Sequence, residues 1–268
     1  LLEESRAVMR DVPRGVVGVA PHSLRAAAPS ELAAVVALAG QAPIHIHAAE
    51  QVKEVEDCLK WSGSRPVAWL LDHAPIDPRW CLIHATHMTE DETRRLARTG
   101  AVAGLCPITE ANLGDGIFNA PEFLAEGGLF GVGSDSNVQI GVGAELRQLE
   151  YSQRLRDRAR NVSAIAAGST GRALYETALA GGARALARPS GRLAPGAIAD
   201  MVSLQADHPA LAGRVGDQTL DAWIFSGGNG IVDSVWSGGR KLVVNGRHAS
   251  REAVAARFGA TMRALLSA

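Results

Sequence analysis

Five short apolar runs recur through the first half of the chain, separated by amphipathic segments, and this alternation limits the folds open to it. Gly15–Ala20, Pro43–Ala48, Arg79–Ile83, Ala101–Leu105 and Leu129–Gly133 read as strands. Ser30–Ala39 (with Ser30 as N-cap), Gln51–Lys60 and Thr89–Arg98 read as helices between them. Thr89 followed by Glu90, Asp91 and Glu92 is a helix-start signature, and Gly100 sits where that helix should stop. Runs buried on both faces, with helices between, imply a parallel sheet, whose reactive groups belong at the C-terminal ends of its strands.

Beyond Tyr151, the arginines at 154, 156, 158 and 160 read as a solvated helix face, and Thr170–Ala187 has helical period. From Gly191 the texture changes. Leu193, Ile198, Met201–Leu204, Ala222–Phe225, Val232–Trp236 and Lys241–Val244 read as short antiparallel segments, with turns at Ser237-Gly-Gly239 and Asn245-Gly246. Arg251–Leu266 reads as a closing helix. The expected division is a barrel portion over residues 1–189, part of a β-sandwich over 190–249 and a helix over 250–268.

A formal charge of −1, with 21% charged residues, gives no basic surface for a phosphate backbone, so nucleic acid is not an expected partner. No apolar run reaches the roughly 18–20 residues of a membrane span. Three scattered cysteines, Cys58, Cys81 and Cys106, read as reduced thiols in a cytoplasmic protein.

Ionisable groups gather at the predicted strand ends: His22 and Arg25, then His45, His47 and Glu50, then His84 and His87, and finally Asp135 with Ser136. Strand alternation puts His45 and His47 on one face and Ile44 and Ile46 on the other. A single strand-end histidine is ordinarily structural. Recurrence of His, His and Asp at successive strand ends points instead to a metal-dependent hydrolase. Apart from any such role, Glu50 reads as a solvated N-cap and Arg25 as a surface loop residue.

His47-x-x-Glu50, His84 and Gly-Ser-Asp135 resemble the metal-dependent deaminases of the amidohydrolase superfamily. The longer strings His45-Ile-His-Ala-Ala-Glu-Gln, Cys81-Leu-Ile-His-Ala-Thr-His-Met and Gly104-Leu-Cys-Pro-Ile-Thr-Glu-Ala-Asn-Leu-Gly-Asp-Gly are similar to those of formimidoylglutamate deiminases, as is Gly191-Arg-Leu-Ala-Pro-Gly. The resemblance implies a (β/α)8 TIM barrel with a small β-sandwich and one zinc per subunit. It makes His47 and Asp135 zinc ligands, Glu50 the proton shuttle, His84 the group facing the reacting centre, and Asp135 the acceptor of the water proton. His45 then stands behind the ligands, and His22 and Arg25 contact a small dicarboxylate substrate. Ser136 positions Asp135, His87 is structural, and Glu110 and Asn112 mark the subgroup without an assigned contact. Asn137 stands where close relatives are expected to carry histidine.

The implied reaction is hydrolysis of N-formimino-L-glutamate to N-formyl-L-glutamate and ammonia in histidine degradation, by a homodimer. A deaminase of a purine-like ring and a non-catalytic remnant are the alternatives. Only five of eight β/α units are expected, the C-terminal ones, and the family's first-strand His-x-His, which supplies two further zinc ligands, has no counterpart here. A barrel arc of that kind is expected to leave open sheet edges.

Overall fold

The computed structural model describes residues 1–136, 138–164 and 168–267. In chain order come α1 (Leu2–Met9), α2 (Pro29–Ala39), β1 (Ile44–Ala48), α3 (Val52–Ser62), α4 (Pro66–His73) and β2 (Trp80–His84). Next are α5 (Glu90–Thr99), β3 (Val102–Leu105), α6 (Pro107–Leu113), α7 (Ala120–Ala125) and β4 (Leu129–Val132). The helices α8 (Val142–Asp157) and α9 (Thr170–Ala185) lead to β5 (Met201–Leu204) and α10 (Asp217–Ala222). The chain closes with β6 (Val232–Ser237), β7 (Arg240–Val244), β8 (Arg247–His248) and α11 (Arg251–Leu266).

Strands β1 to β4 form a parallel sheet in sequence order, and β5 to β8 a separate antiparallel one. Alternation along β1 buries Ile44, Ile46 and Ala48 and leaves His45 and His47 on the opposite face. Leu70, Trp80, Leu82, Leu96, Phe123, Phe130, Leu146 and Leu149 complete the apolar layer between sheet and helices. Burial of such a side chain contributes about 1.5–3 kcal/mol.

Several local expectations hold at atomic detail. Thr89 Oγ1 accepts the Glu92 N–H at 3.2 Å, and Glu92 answers by accepting the Thr89 N–H at 2.7 Å. Gly100 ends α5 in the left-handed region, φ 76°. The Asn245-Gly246 turn has φ 50° and 71°, as a tight hairpin requires. No described helix is long and apolar enough to cross a membrane.

Others are corrected. Gly15–Ala20 is largely exposed and forms no strand. Pairing with β1 is shifted along the chain to bridges Val19–Ile44 and Ser23–His47, and Pro21 between them has no N–H to extend a ladder. Ser30 lies inside α2, because Pro29 takes its first position and Glu31 accepts the Ala28 N–H at 2.8 Å. Ala222–Phe225 is helical, running from α10 into a π-turn over Trp223–Gly227 whose ring closes at Gly228 N–H to Trp223 O, 3.2 Å. Leu193 and Ile198 belong to no strand. Segment 107–113, which carries Glu110 and Asn112, is the helix α6. Arg154 is not part of a solvated face: it bonds buried Glu150 at 2.7 Å and lies over the rings of Tyr151 and Phe225.

Helix α9 lies directly on β4, and Gly181 permits it. A Cβ there would collide with the carbonyl of Phe130, whereas one at Gly182 would meet nothing within 4 Å. Gly181→Ala is therefore expected to lower stability by about 1–3 kcal/mol. Gly182→Ala should be neutral or stabilising by up to about 1 kcal/mol. Urea titration of both variants checks the contrast.

Candidate active site

The parallel register brings the strand ends level. Ala48 pairs with His84, and Leu105 with Val132, so Glu50, His84, Cys106 and Asp135 all leave the sheet on one rim. His47 Nδ1 lies 2.8 Å from the carbonyl of His22, which only accepts, so the ring proton sits on Nδ1 and the Nε2 lone pair is available. That is the arrangement of a metal-binding imidazole. His45 differs although it shares the face: its Nε2 donates to the Ala185 carbonyl at 2.8 Å, tying β1 to the end of α9.

His84 breaks the strand pattern. Register pairs it with Ala48 on the buried side, but φ of 68° at His84 and 48° at Ala85 turns the ring toward His47, centroid to centroid 5.7 Å. Such conformations cost about 1–3 kcal/mol each and concentrate at functional positions. The ring is buried, with Nδ1 3.2 Å from Glu110 Oε1 and Nε2 3.7 Å from Glu50 Oε1. Burial alone pulls its pKa down. The Glu110 hydrogen bond and the charges of Glu110, Glu50 and Asp135 outweigh that, and the net shift is upward.

Ligand atoms of His84, Cys106 and Asp135 lie within 4.8 Å of one another. Asp135 therefore meets the rim where a cation would sit, held in a left-handed conformation at φ 40°. This cluster pairs Asp135 with His84 and Cys106, and His47 joins it through its ring contact with His84. The clustered donors, an imidazole, a thiol and a carboxylate, with the bare Nε2 of His47 on the ring next to His84, are of the types that hold a divalent metal such as zinc. Burial, with the nearby carboxylates of Glu110, Asp135 and Glu145, pushes the Cys106 thiol pKa well up, so without a cation it stays protonated.

Glu50 does not cap α3, whose N-cap is Gln51. Its Oε2 accepts from Arg25 at 3.0 Å, and its Oε1 faces His84. Arg25 reaches this carboxylate and, at 3.9 Å, that of Glu54. The His22 ring lies tilted against that of His47, centroids 4.9 Å apart, and its Nδ1 lies 2.8 Å from Ser23 Oγ. His87 is structural: its Nε2 donates to the Asp115 carbonyl at 2.7 Å. Asn112 is exposed, and Asn137 lies outside the described residues.

The amidohydrolase family profile matches residues 2–242. The chain belongs to the amidohydrolase family. It is 50% identical to formimidoylglutamate deiminase of Pseudomonas aeruginosa across 99% of this chain, and spans 59% of that relative's length. An amidohydrolase structure from Brucella melitensis superposes with a TM-score of 0.94 at 56% identity, covering 99% of this chain and 59% of its own. An adenosine deaminase from Xanthomonas campestris, solved with bound zinc, shares the fold at a TM-score of 0.84 and 24% identity, over 98% of this chain and 61% of its own. The parallel sheet is thus part of the amidohydrolase barrel.

Four residues that shape this amidohydrolase rim escaped the sequence reading or lacked a contact there. Glu54 accepts the N–H groups of Ala49 (3.0 Å) and Glu50 (2.9 Å), fixing the turn that carries Glu50. Thr109 Oγ1 donates to the Ser134 carbonyl and accepts the Ser136 N–H, bracketing Asp135. Ser136 Oγ, expected to position Asp135, bonds Thr109 Oγ1 at 2.9 Å and so acts through the same bracket. Glu110 bridges the Cys106 N–H and His84. Glu145, buried in α8, accepts the Ile108 N–H at 2.9 Å with one oxygen and leaves the other without a partner. A helix-end carboxylate looks like any surface glutamate in sequence, so only the fold reveals these contacts.

Burial, with Glu110 and Asp135 nearby, pushes the Glu145 pKa up to about 7 against the pull of the Ile108 N–H. The folded state then holds this proton at pH values where the unfolded chain has lost it, so stability falls as pH rises from about 4.5 through about 7. In metal-free protein, Glu145→Gln should be more stable than the parent at pH 8 by on the order of 2–3 kcal/mol relative to their difference at pH 4. Urea midpoints at the two pH values measure it.

Proposed function

We propose that this chain carries the catalytic rim of a zinc-dependent deiminase that hydrolyses N-formimino-L-glutamate to N-formyl-L-glutamate and ammonia, the histidine-degradation reaction suggested by its relative from Pseudomonas aeruginosa. The observation that carries the reading is Glu50, whose two oxygens face Arg25 on one side and His84 on the other. One carboxylate thereby stands between a guanidinium suited to a substrate carboxylate and the imidazole at the reacting centre. Cytoplasmic residence belongs to the same reading, supported by three buried, unpaired thiols.

His47 and Asp135 would hold the zinc, together with donors from the first-strand His-x-His of the family. When bound, zinc supplies Lewis acidity that makes water ionise near neutral pH. Asp135 accepts the water proton as oxygen adds to the formimino carbon. His84 faces the developing charge there, in a buried site where such an interaction is strong. Glu50 delivers a proton to the imino nitrogen, Asp135 passes on the one it took from water, and the carbon–nitrogen bond breaks to release ammonia as the added hydroxyl gives its proton back to Glu50 and becomes the new carbonyl. Arg25, aided by His22, anchors a glutamate carboxylate with the edge of its fork that Glu50 leaves open.

Ammonia release from formiminoglutamate by zinc-loaded protein tests the reaction. Arg25→Met should raise KM for this dicarboxylate about 10- to 100-fold. An unchanged KM, or turnover of a neutral purine ring instead, would overturn the substrate. Glu50→Gln should keep zinc, by elemental analysis, while losing about 100-fold or more in kcat. Dialysis against a chelator should abolish turnover, and added zinc should restore it.

A further inference from the structure

His84 makes the most exacting demand of any side chain in the site. Its backbone is strained, its ring is buried, and its two nitrogens face different carboxylates. Which nitrogen carries the proton of the neutral ring decides whether Nε2 presents a lone pair or an N–H toward Glu50 and the substrate. Glu110 Oε1 accepts the Cys106 N–H at 2.9 Å, and the same oxygen lies 3.2 Å from His84 Nδ1. An oxygen that already accepts from a backbone amide is placed as an acceptor toward the ring as well, so the shared proton sits on Nδ1.

Glu110 is itself well fixed. It is 3% exposed and rises from the first turn of α6, and the Cys106 amide it caps belongs to that helix's N-cap. Its neighbour Thr109 grips the loop of Asp135, so one helical turn holds two of the reacting groups. None of the steps assigned to Glu50, His84 or Asp135 uses Glu110, yet the side chain spends its buried carboxylate on this contact.

We propose that Glu110 is a positioning residue for the deimination: it pins His84 as the Nδ1–H tautomer and sets the ring plane, so that Nε2 is the nitrogen offered to Glu50 and the reacting carbon. For its consequence on rate this rests on the reaction proposed above. The tautomer does not, and can be read without turnover. An imidazole pinned through Nδ1 by a buried acceptor is a familiar device for orienting a reactive ring, and loss of such a partner typically costs 10- to 100-fold.

The test is long-range nitrogen–proton NMR on the whole protein labelled at its eight histidines, with and without zinc, at a pH where the ring is neutral. His84 is assigned by the signals lost in His84→Asn. The wild type should show a protonated Nδ1 and a bare Nε2. Glu110→Gln, whose amide oxygen still accepts, should keep that pattern and stay within about tenfold of wild-type kcat. Glu110→Ala should lose the preference and fall about 10- to 100-fold in kcat, with KM changed less than about threefold and zinc content unchanged. A wild-type ring with a bare Nδ1 overturns the proposal, as does Glu110→Ala with an unaltered tautomer and unaltered kcat. Should Glu110→Ala fail to fold, the wild-type spectrum alone decides. Absence of ammonia release by zinc-loaded wild type, with the tautomer pinned in wild type and freed in Glu110→Ala, would overturn the reaction and still support the positioning.

Discussion

Parallel pairing in a single register across β1 to β4 is the constraint on which the site depends. Side chains alternate with period two, so a slip of one residue in β1 would turn its apolar set outward and its imidazoles into the helix layer. With Ile44 opposite Trp80 and Ile46 opposite Leu82, burial of the large residues fixes the register, and level strand ends follow without further cost. The departures come just past those ends. Ala49, His84, Ala85 and Asp135 all take left-handed φ values, each unfavourable for a residue with a Cβ. Backbone bonds from Ala85 to Ala48 and from His87 to Ala49 hold two of these turns against their strain. Regular pairing thus supplies position, and strained turns supply direction.

Buried carboxylates used as backbone acceptors hold the first of these turns and two segments elsewhere in the fold. Glu54 takes two amides of the β1 turn, Glu92 takes those of Ala68 and Thr89, and Glu150 takes those of Val162 and Ser163. In each case an arginine stands close as well, Arg25, Arg65 and Arg154 respectively. Two amides and a cation offset the desolvation of a carboxylate. Among the described residues Glu145 has one amide, no cation and an unpartnered oxygen, and its pKa is pushed up to about 7.

The sequence made legible what is local or periodic. The apolar runs of β1 to β4, the Thr89–Glu92 capping box, the glycine stop at Gly100 and the hairpin turn at Asn245-Gly246 depend on residues within a few positions of one another, and all are present. The gathering of His47, Glu50, His84 and Asp135 toward one rim was legible too, because each lies at or just past the C-terminal end of a strand in a parallel sheet. Errors arose where a distant partner or a single proline decides. Pro21 displaced the pairing of the first run, and the helix from Asp217 carried Ala222–Phe225 past its apolar pattern. Arg154 looked like one of four exposed arginines until Glu150, one turn away and fully buried, claimed it.

The positioning contacts lay beyond sequence for a related reason. Glu110 and His84 are 26 positions apart, as are the donors and acceptors of the Thr109 bracket to within a residue or two. Such separations are set by one β/α unit, so a side chain at the start of the helix after one strand reaches the end of the strand before or after it. Helix starts also favour carboxylates and hydroxyls for capping alone. A glutamate there satisfies its own helix and a neighbouring strand end with the same oxygen, and the first use conceals the second. In this chain the Cys106 amide is the local reason for Glu110, and the buried ring of His84 is the distant one.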